Sequence, residues 1–309
     1  MHFLLKLNAL LKHSAQITSV ISTKHIMIKT LFAFIAASAA FSTMADEPVP
    51  VRENKLLIGA GATHNSMNYL GLDSLTDPVP VFDIQLGPFF AYNHHDEPYI
   101  GLELFRHKRV MLALAATQGR QFLDVSESSK DLAWIYYGIE DRDKSTEAAL
   151  IFHFYSRVGL LEIMSIRDVS NNYDGFRSYI GWSRPFPETG DWTITPRMFG
   201  KYYSEDYNNF YYGISEAEME RAEERINNEG LVLNDIQITT EEFERRRPAY
   251  QAGNSGHFGV DLTVKYRFTE NLVAQGYIGM EKLAGQVTSS ILVEDADIWT
   301  VNASIAYQF

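Results

Sequence analysis

Three groups of residues have the types that chemistry needs. His94-His95-Asp96-Glu97 offers two imidazoles and two carboxylates, a donor set that suits zinc or a similar divalent ion. His153 and Glu162 would make a base–carboxylate pair for a hydrolase, with Ser156 or Ser183 as nucleophile. Arg157, Arg177, Arg197, Lys265 and Arg267, with Asp83, Glu103, Glu147 and Asp261 against them, could line a channel.

Which of these groups converge depends on the elements that carry them. The clearest element is the C-terminal one. Trp299, Val301, Ala303, Ile305, Tyr307 and Phe309 alternate with Thr300, Asn302, Ser304 and Gln308, with Ala306 neutral. A strand turns successive side chains to opposite sides, so this segment has one apolar and one polar face. Its length is what a tilted strand needs to cross an outer membrane, and Trp299, Tyr307 and Phe309 form an aromatic C-terminal signature. Phe258, Val260, Leu262, Val264, Tyr266 and Phe268 oppose Asp261, Thr263, Lys265 and Arg267 in the same way. Trp192, Ile194 and Met198 oppose Arg197 and Lys201.

Charges fall on one face only, which predicts a lipid-facing and a lumen-facing side. Segments at 54–63, 79–86, 88–93, 98–106, 109–118, 147–156, 158–167, 175–186, 191–203, 254–268, 271–283 and 297–309 follow the pattern. Short turns are expected at 87–88, 106–109, 156–158, 187–190 and 269–271. Longer connections are expected near 64–78, 94–97, 119–146, 168–174, 204–253 and 285–296. The fold expected is all-β: a transmembrane antiparallel up-and-down barrel of about twelve strands, or ten if 88–93 and a neighbour drop out. The 46% apolar content is expected to coat the outside of the barrel, with aromatics at the membrane rims.

These strands decide the chemistry. Adjacent residues of His94–Glu97 point to opposite faces, so they read as a polar external turn. The Ser156 and Ser183 settings lack a nucleophile-elbow pattern, and no phosphate-binding or dinucleotide fingerprint occurs. No cofactor is expected. The candidate lumen-facing charges Arg157, Arg197, Lys265, Arg267 and Asp261 are expected to pair across a narrow lumen.

Composition narrows the class further. The chain has 309 residues and no Cys, which removes disulfides, Cys-ligated metal sites and thiol nucleophiles. A net charge of −12 argues against nucleic acid, whose phosphates need a basic surface. Residues 1–45 hold Lys6, Lys12, Lys24 and Lys29 and no acid. Within them, Lys29 precedes the apolar run Leu31–Ala40, and Thr43-Met44-Ala45 precedes Asp46. This pattern reads as a signal peptide at 27–45, cleaved between Ala45 and Asp46, with 1–26 an over-extended start. The remainder, 46–309, is then an exported barrel with a long external loop at about 204–253. In that loop Ser215 and Glu218 have capping-box spacing ahead of a short exposed helix. Glu241, Glu242 and Glu244 run into Arg245-Arg246-Arg247, which reads as a solvated charge run or a docking loop.

Several stretches together resemble the MipA/OmpV family of outer-membrane proteins. They are Leu57–Gly61, Pro78–Gly87 (PVPVFDIQLG), Pro187–Gly200 (PETGDWTITPRMFG), Tyr211–Ser215 (YYGIS), Pro248–Gly253 (PAYQAG) and Asn271–Phe309, which ends Tyr307-Gln308-Phe309. The resemblance spans nearly all of residues 55–309, with Glu216–Arg247 as an apparent insertion. It implies location in the cell outer membrane, contact with outer-membrane lipid and a non-enzymatic scaffolding role. Its implied partners are a murein lytic transglycosylase and a penicillin-binding protein, so that murein cutting and synthesis are coordinated. It brings no catalytic residues, metal or cofactor. A passive diffusion channel is the alternative.

Overall fold

In the computed structural model the described residues are 54–72, 74–94, 97–119, 121–128, 132–186, 189–233 and 236–309. The signal segment, its Ala45–Asp46 junction and the 1–26 extension lie outside them.

Twelve antiparallel strands close into a barrel. They are β1 (Lys55–Asn65), β2 (Leu75–Leu86), β3 (Phe89–His94), β4 (Glu97–His107), β5 (Val110–Gln118), β6 (Thr146–Ser156), β7 (Gly159–Asp168), β8 (Phe176–Ser183), β9 (Trp192–Tyr203), β12 (Ser255–Arg267), β13 (Leu272–Lys282) and β14 (Asp297–Gln308). The small ribbon β10 (Val232–Leu233) and β11 (Ile236–Gln237) lies outside the wall. Closure joins β1 to β14, from Leu57 opposite Gln308 to Asn65 opposite Thr300. Every barrel strand therefore has two neighbours, which removes the sheet edges that could not stand in lipid.

Alternation sets what each face meets. Ile58, Ile100, Leu114, Leu150, Ile180, Val260, Ile278, Val301 and Ile305 point outward and are about half exposed or more. Trp192 meets Tyr266 in a tilted contact at 4.6 Å and Tyr307 meets Phe309 edge-on at 4.9 Å, forming an aromatic rim at the turn end. A bulge between Glu103 and Phe105 resets the alternation of β4, so that Leu104 and Phe105 both face out.

Four findings depart from the sequence reading. The β3–β4 connection is two residues long, because β3 runs to His94 and β4 starts at Glu97. The β8–β9 connection is longer than expected, because β8 stops at Ser183. The apolar residues do not only coat the outside. Met111, Ala113, Ala115, Ala149, Ile151, Met164 and Ile166 fill the inner face of β5–β7, with Phe90, Tyr99 and Tyr179 beside them.

The fourth departure is the long loop, which is a folded cap. Its helices are α1 (Glu205–Tyr212), α2 (Glu216–Glu229) and α3 (Thr240–Arg246). Ser204, Ser215 and Thr239 cap their N-termini, and Ser215 with Glu218 completes a reciprocal capping box. A cluster of Tyr69, Tyr136, Tyr207, Tyr211, Tyr212, Met219, Ile226, Phe243, Leu283 and Leu292 packs beneath the helices. Arg247, third of the Arg triplet, is fully buried. Its guanidinium lies 4.6 Å from the Phe243 ring and donates to the Ile135 carbonyl at 2.6 Å. The rest of the run is mostly solvated, with Glu241, Glu244, Arg245 and Arg246 exposed; Arg247 is the exception. Gly138 makes room for α2: a Cβ there would sit 2.3 Å from the Glu218 carbonyl oxygen, and its φ is +75°.

Candidate functional site

The lumen is divided into two sectors. On β3–β8 its lining is the apolar and aromatic cluster described above, with Glu97, Glu147, Arg177, His153 and Glu162 set into it. On β9, β12, β13 and β14 it is polar, carrying Arg197, Lys201, Asp261, Thr263, Lys265, Gln275, Tyr277, Glu281 and Asn302.

Ion pairs tie strands together within each sector. Arg177 on β8 reaches Glu147 on β6 (Nη2–Oε2 2.6 Å) and Glu97 on β4 (Nη2–Oε2 2.8 Å). Glu147 is fully buried and also accepts from Tyr173 at 2.6 Å and Ser145 at 3.1 Å. Arg197 pairs with Asp261 through Nε at 2.8 Å, and Lys201 with Glu281 at 2.6 Å. Lys55 pairs with Asp83. Cross-strand register produces one of these contacts directly, since Asp261 stands opposite Arg197 in the β9–β12 ladder; the Arg177 and Lys201 pairs reach across the lumen between strands that are not neighbours.

The expected lumen charges therefore separate. Arg197 and Asp261 come together as a buried pair. Lys265 faces the cavity near the turn end, and Arg267 lies exposed at the last position of β12. Arg157 follows the end of β6 at Ser156 and occupies the exposed turn before β7, where the strand alternation has stopped. Trp299, Tyr307 and Phe309 face outward at 47%, 46% and 72% exposure, and the Phe309 amide donates to Leu56 carbonyl at 2.9 Å.

Of the hydrolase candidates, His153 and Glu162 do meet (Nε2–Oε2 2.6 Å), one residue pair of the β6–β7 ladder. Ser156 instead donates to the Gly159 carbonyl at 2.8 Å within the turn. Ser183 lines the largest cavity. The His94–Glu97 run falls partly outside the described residues. Its Glu97 is engaged by Arg177 and by Tyr99 at 2.8 Å.

A second row was missed in the sequence. Ser255 Oγ lies 2.9 Å from His257 Nε2, and His257 Nδ1 lies 3.2 Å from Glu281. The order is that of nucleophile, base and orienting acid. The serine, however, is sealed by Asn208 of α1, whose Nδ2 donates to Ser255 Oγ at 2.9 Å and to the Gly253 carbonyl at 2.6 Å. The row latches the cap to the wall. The signal available in sequence was Ser-x-His at strand spacing, which puts both side chains on one face.

Cap and lumen leave three cavities in series. The largest of them, about 350 Å³, extends from Ser183 and Lys265 near the turn end to Val79 and Pro80 in the half of β2 nearer the long connections. The next, about 50 Å³, is lined by Tyr179, Phe199, Tyr203, Tyr277 and Arg177. The third, about 140 Å³, lies under the cap beside Tyr207, Tyr212 and His257. The middle one has room for about three to five waters, at roughly 10–15 Å³ each.

Outside the wall, Glu218 carries the electrostatics of the cap. Burial raises its affinity for a proton, but the Arg142 guanidinium at 2.9 Å and the Ser215 hydrogen bonds outweigh this and hold it below the ordinary carboxylate range. Burial lowers Arg247 to about 10, and Glu218 partly offsets the effect.

A closed antiparallel barrel with a lipid-facing apolar band, aromatic rim, short turns at one end and long connections at the other is a bacterial outer-membrane protein. The chain belongs to the MltA-interacting protein MipA family, whose model matches residues 58–309. It is 23% identical over 256 residues to the "Putative outer membrane protein YiaT" of Escherichia coli K12, covering 83% of this chain and 92% of that one. It is 22% identical over 257 residues to the "MltA-interacting protein" of the same organism, covering 83% and 91%. Among solved structures it is similar to Neisserial surface protein A, at 10% identity and a TM-score of 0.26, covering 82% of this chain and 97% of that one.

Proposed function

We propose that this protein is a non-enzymatic scaffold of the outer membrane that holds a murein lytic transglycosylase near a penicillin-binding synthase. The observation that carries the reading is the closed lumen. A diffusion channel needs an open path, whereas this lumen lies under a cap of α1–α3, latched through Asn208, Ser255 and His257, and its middle cavity has only about 50 Å³ of free space. The relative named as an MltA-interacting protein supports the choice of partner. A scaffold needs rigid surfaces at the wall's ends, and a filled inner sector with buried ion pairs supplies rigidity.

The test is retention on beads. The refolded full chain, immobilised in detergent, is expected to retain a purified lytic transglycosylase and, through it or directly, a bifunctional penicillin-binding protein. An unrelated barrel serves as control. Equal retention on both barrels would refute the scaffold reading.

A further inference from the structure

Among the described residues, the ladder between β2 and β3 is much shorter than β2 itself. β2 pairs with β1 along its length, from Lys55–Gln85 to Asn65–Leu75. Toward β3 it pairs only over Asp83–Leu86, against Phe89–Tyr92. The register would continue to Phe82 opposite Asn93 and Val81 opposite His94, yet neither is a ladder pair.

The reason is in the sequence. Asn93 Nδ2 donates to the Pro80 carbonyl at 3.1 Å, so this edge of Pro80 faces β3. A strand residue directs its N–H and C=O to the same side, and Pro78, two residues earlier, faces the same way. Both prolines lack the N–H a ladder needs, which is why proline belongs at strand edges. The edge opened by Pro78 and Pro80 is in the half of the wall nearer the long connections.

The largest cavity lies directly behind this seam. Val79, Pro80, Val81, Phe82 and Asn93 line it, and Asn93 Oδ1 is buried with no hydrogen-bond partner among the described residues. β12 lies five strands around from β3, nearly opposite in a twelve-strand barrel. On it Lys265 stands opposite Gln275 of β13, and both line the same cavity. Among the described residues no ion pair or hydrogen bond engages the Lys265 ammonium. The β2 side of the cavity is apolar at Val79, Pro80, Val81 and Phe82; of its charged lining, Asp83 pairs with Lys55, Glu162 with His153 and Arg197 with Asp261, and Lys265 stands beside Gln275. At about 350 Å³ the cavity is at the small end of ligand sites, too small for a two-chain phospholipid.

We infer that the β2–β3 seam is a side portal from the outer membrane into the lumen, and that the cavity behind it binds a medium-chain alkyl carboxylate. The carboxylate sits on Lys265 and Gln275, and the chain points toward Val79 and Phe82. This goes beyond the scaffold reading and does not rest on it: the lumen is closed along its axis and open through its side.

The experiment uses the full chain in phosphatidylcholine nanodiscs with octanoate as probe and octylammonium as the charge-reversed control. Octanoate is expected to bind at least tenfold more tightly than octylammonium, and K265Q to weaken octanoate at least tenfold. The chain has no Cys, so P80C/N93C gives a single staple across the seam. Oxidation is expected to slow octanoate entry at least tenfold, and reductant to restore it. Folding of each variant is checked by its heat-dependent migration in SDS. If the staple variant does not fold, P78V/P80V replaces it; the two restored donors are expected to slow entry likewise. Equal binding of the two amphiphiles, or unchanged binding in K265Q, would overturn the ligand assignment. Entry that is indifferent to stapling or to the proline replacements would overturn the portal.

Discussion

Removing Arg177 should be the most damaging single change in the lumen. Its guanidinium touches both oxygens of Glu147 (Nε at 3.1 and 3.2 Å, Nη2 at 2.6 Å) and both of Glu97 (3.0 and 2.8 Å). R177M keeps the volume but leaves two carboxylates facing each other without a cation. Glu147 retains Tyr173 and Ser145, which soften the loss without neutralising it. Taking one partner from a buried ion pair costs about 3–5 kcal/mol, or two to four orders of magnitude in the folding equilibrium at about 1.4 kcal/mol per tenfold. Removing all charges together should cost far less, because the penalty is the uncompensated charge. The assay is urea unfolding from lipid vesicles followed by tryptophan fluorescence. R177M should lose roughly 3–5 kcal/mol, and E97Q/E147Q/R177M should recover most of it. If R177M unfolds with the parent, or the triple variant is as weak as R177M, the ion-pair account of the lumen is wrong.

Three further outcomes are expected. Ile151 is fully buried inside the barrel whereas its neighbour Leu150 faces lipid. I151A should therefore cost about 2–5 kcal/mol in the same unfolding assay, and L150A distinctly less. Gly138→Ala should displace α2, because its Cβ would meet the Glu218 carbonyl; faster proteolysis of residues 204–253 with an unchanged barrel band in SDS would register it. Glu218 has a folded-state value below its ordinary 4.5. Its contribution is thus fully present above pH 4.5 and lost as pH falls through the depressed value. Cap proteolysis should rise between pH 5 and pH 3, and E218Q should remove that pH dependence; identical profiles would contradict the Glu218–Arg142 assignment.

The barrel was legible because lipid imposes a strict rule on every second residue: β14 and β12 alternate without interruption over their membrane-facing lengths. The rule constrains only the outer face. Ala113, Ala115, Ala149 and Ile151 are apolar on the inner face as well, so β5 and β6 look the same in sequence whether their lumen side is wet or packed. The Arg197–Asp261 pair needed register, which alternation does not supply; Arg157 needed the end of β6, one residue earlier. In the cap, Ser215 and Glu218 announced a helix, but the burial of Arg247 depends on Phe243 and Ile135, the latter more than a hundred positions away. Pro78 and Pro80 carried an edge signal within a strand that was read only for its alternation.

The closed lumen underlies the proposed scaffold role, and planar-bilayer recording of the intact refolded chain tests it most directly. Protein that shows the heat-dependent SDS shift should insert and remain silent, because the cap is latched to the wall over a middle cavity of only about 50 Å³. Uniform conductance steps from the same preparation would contradict the closed lumen and favour a channel.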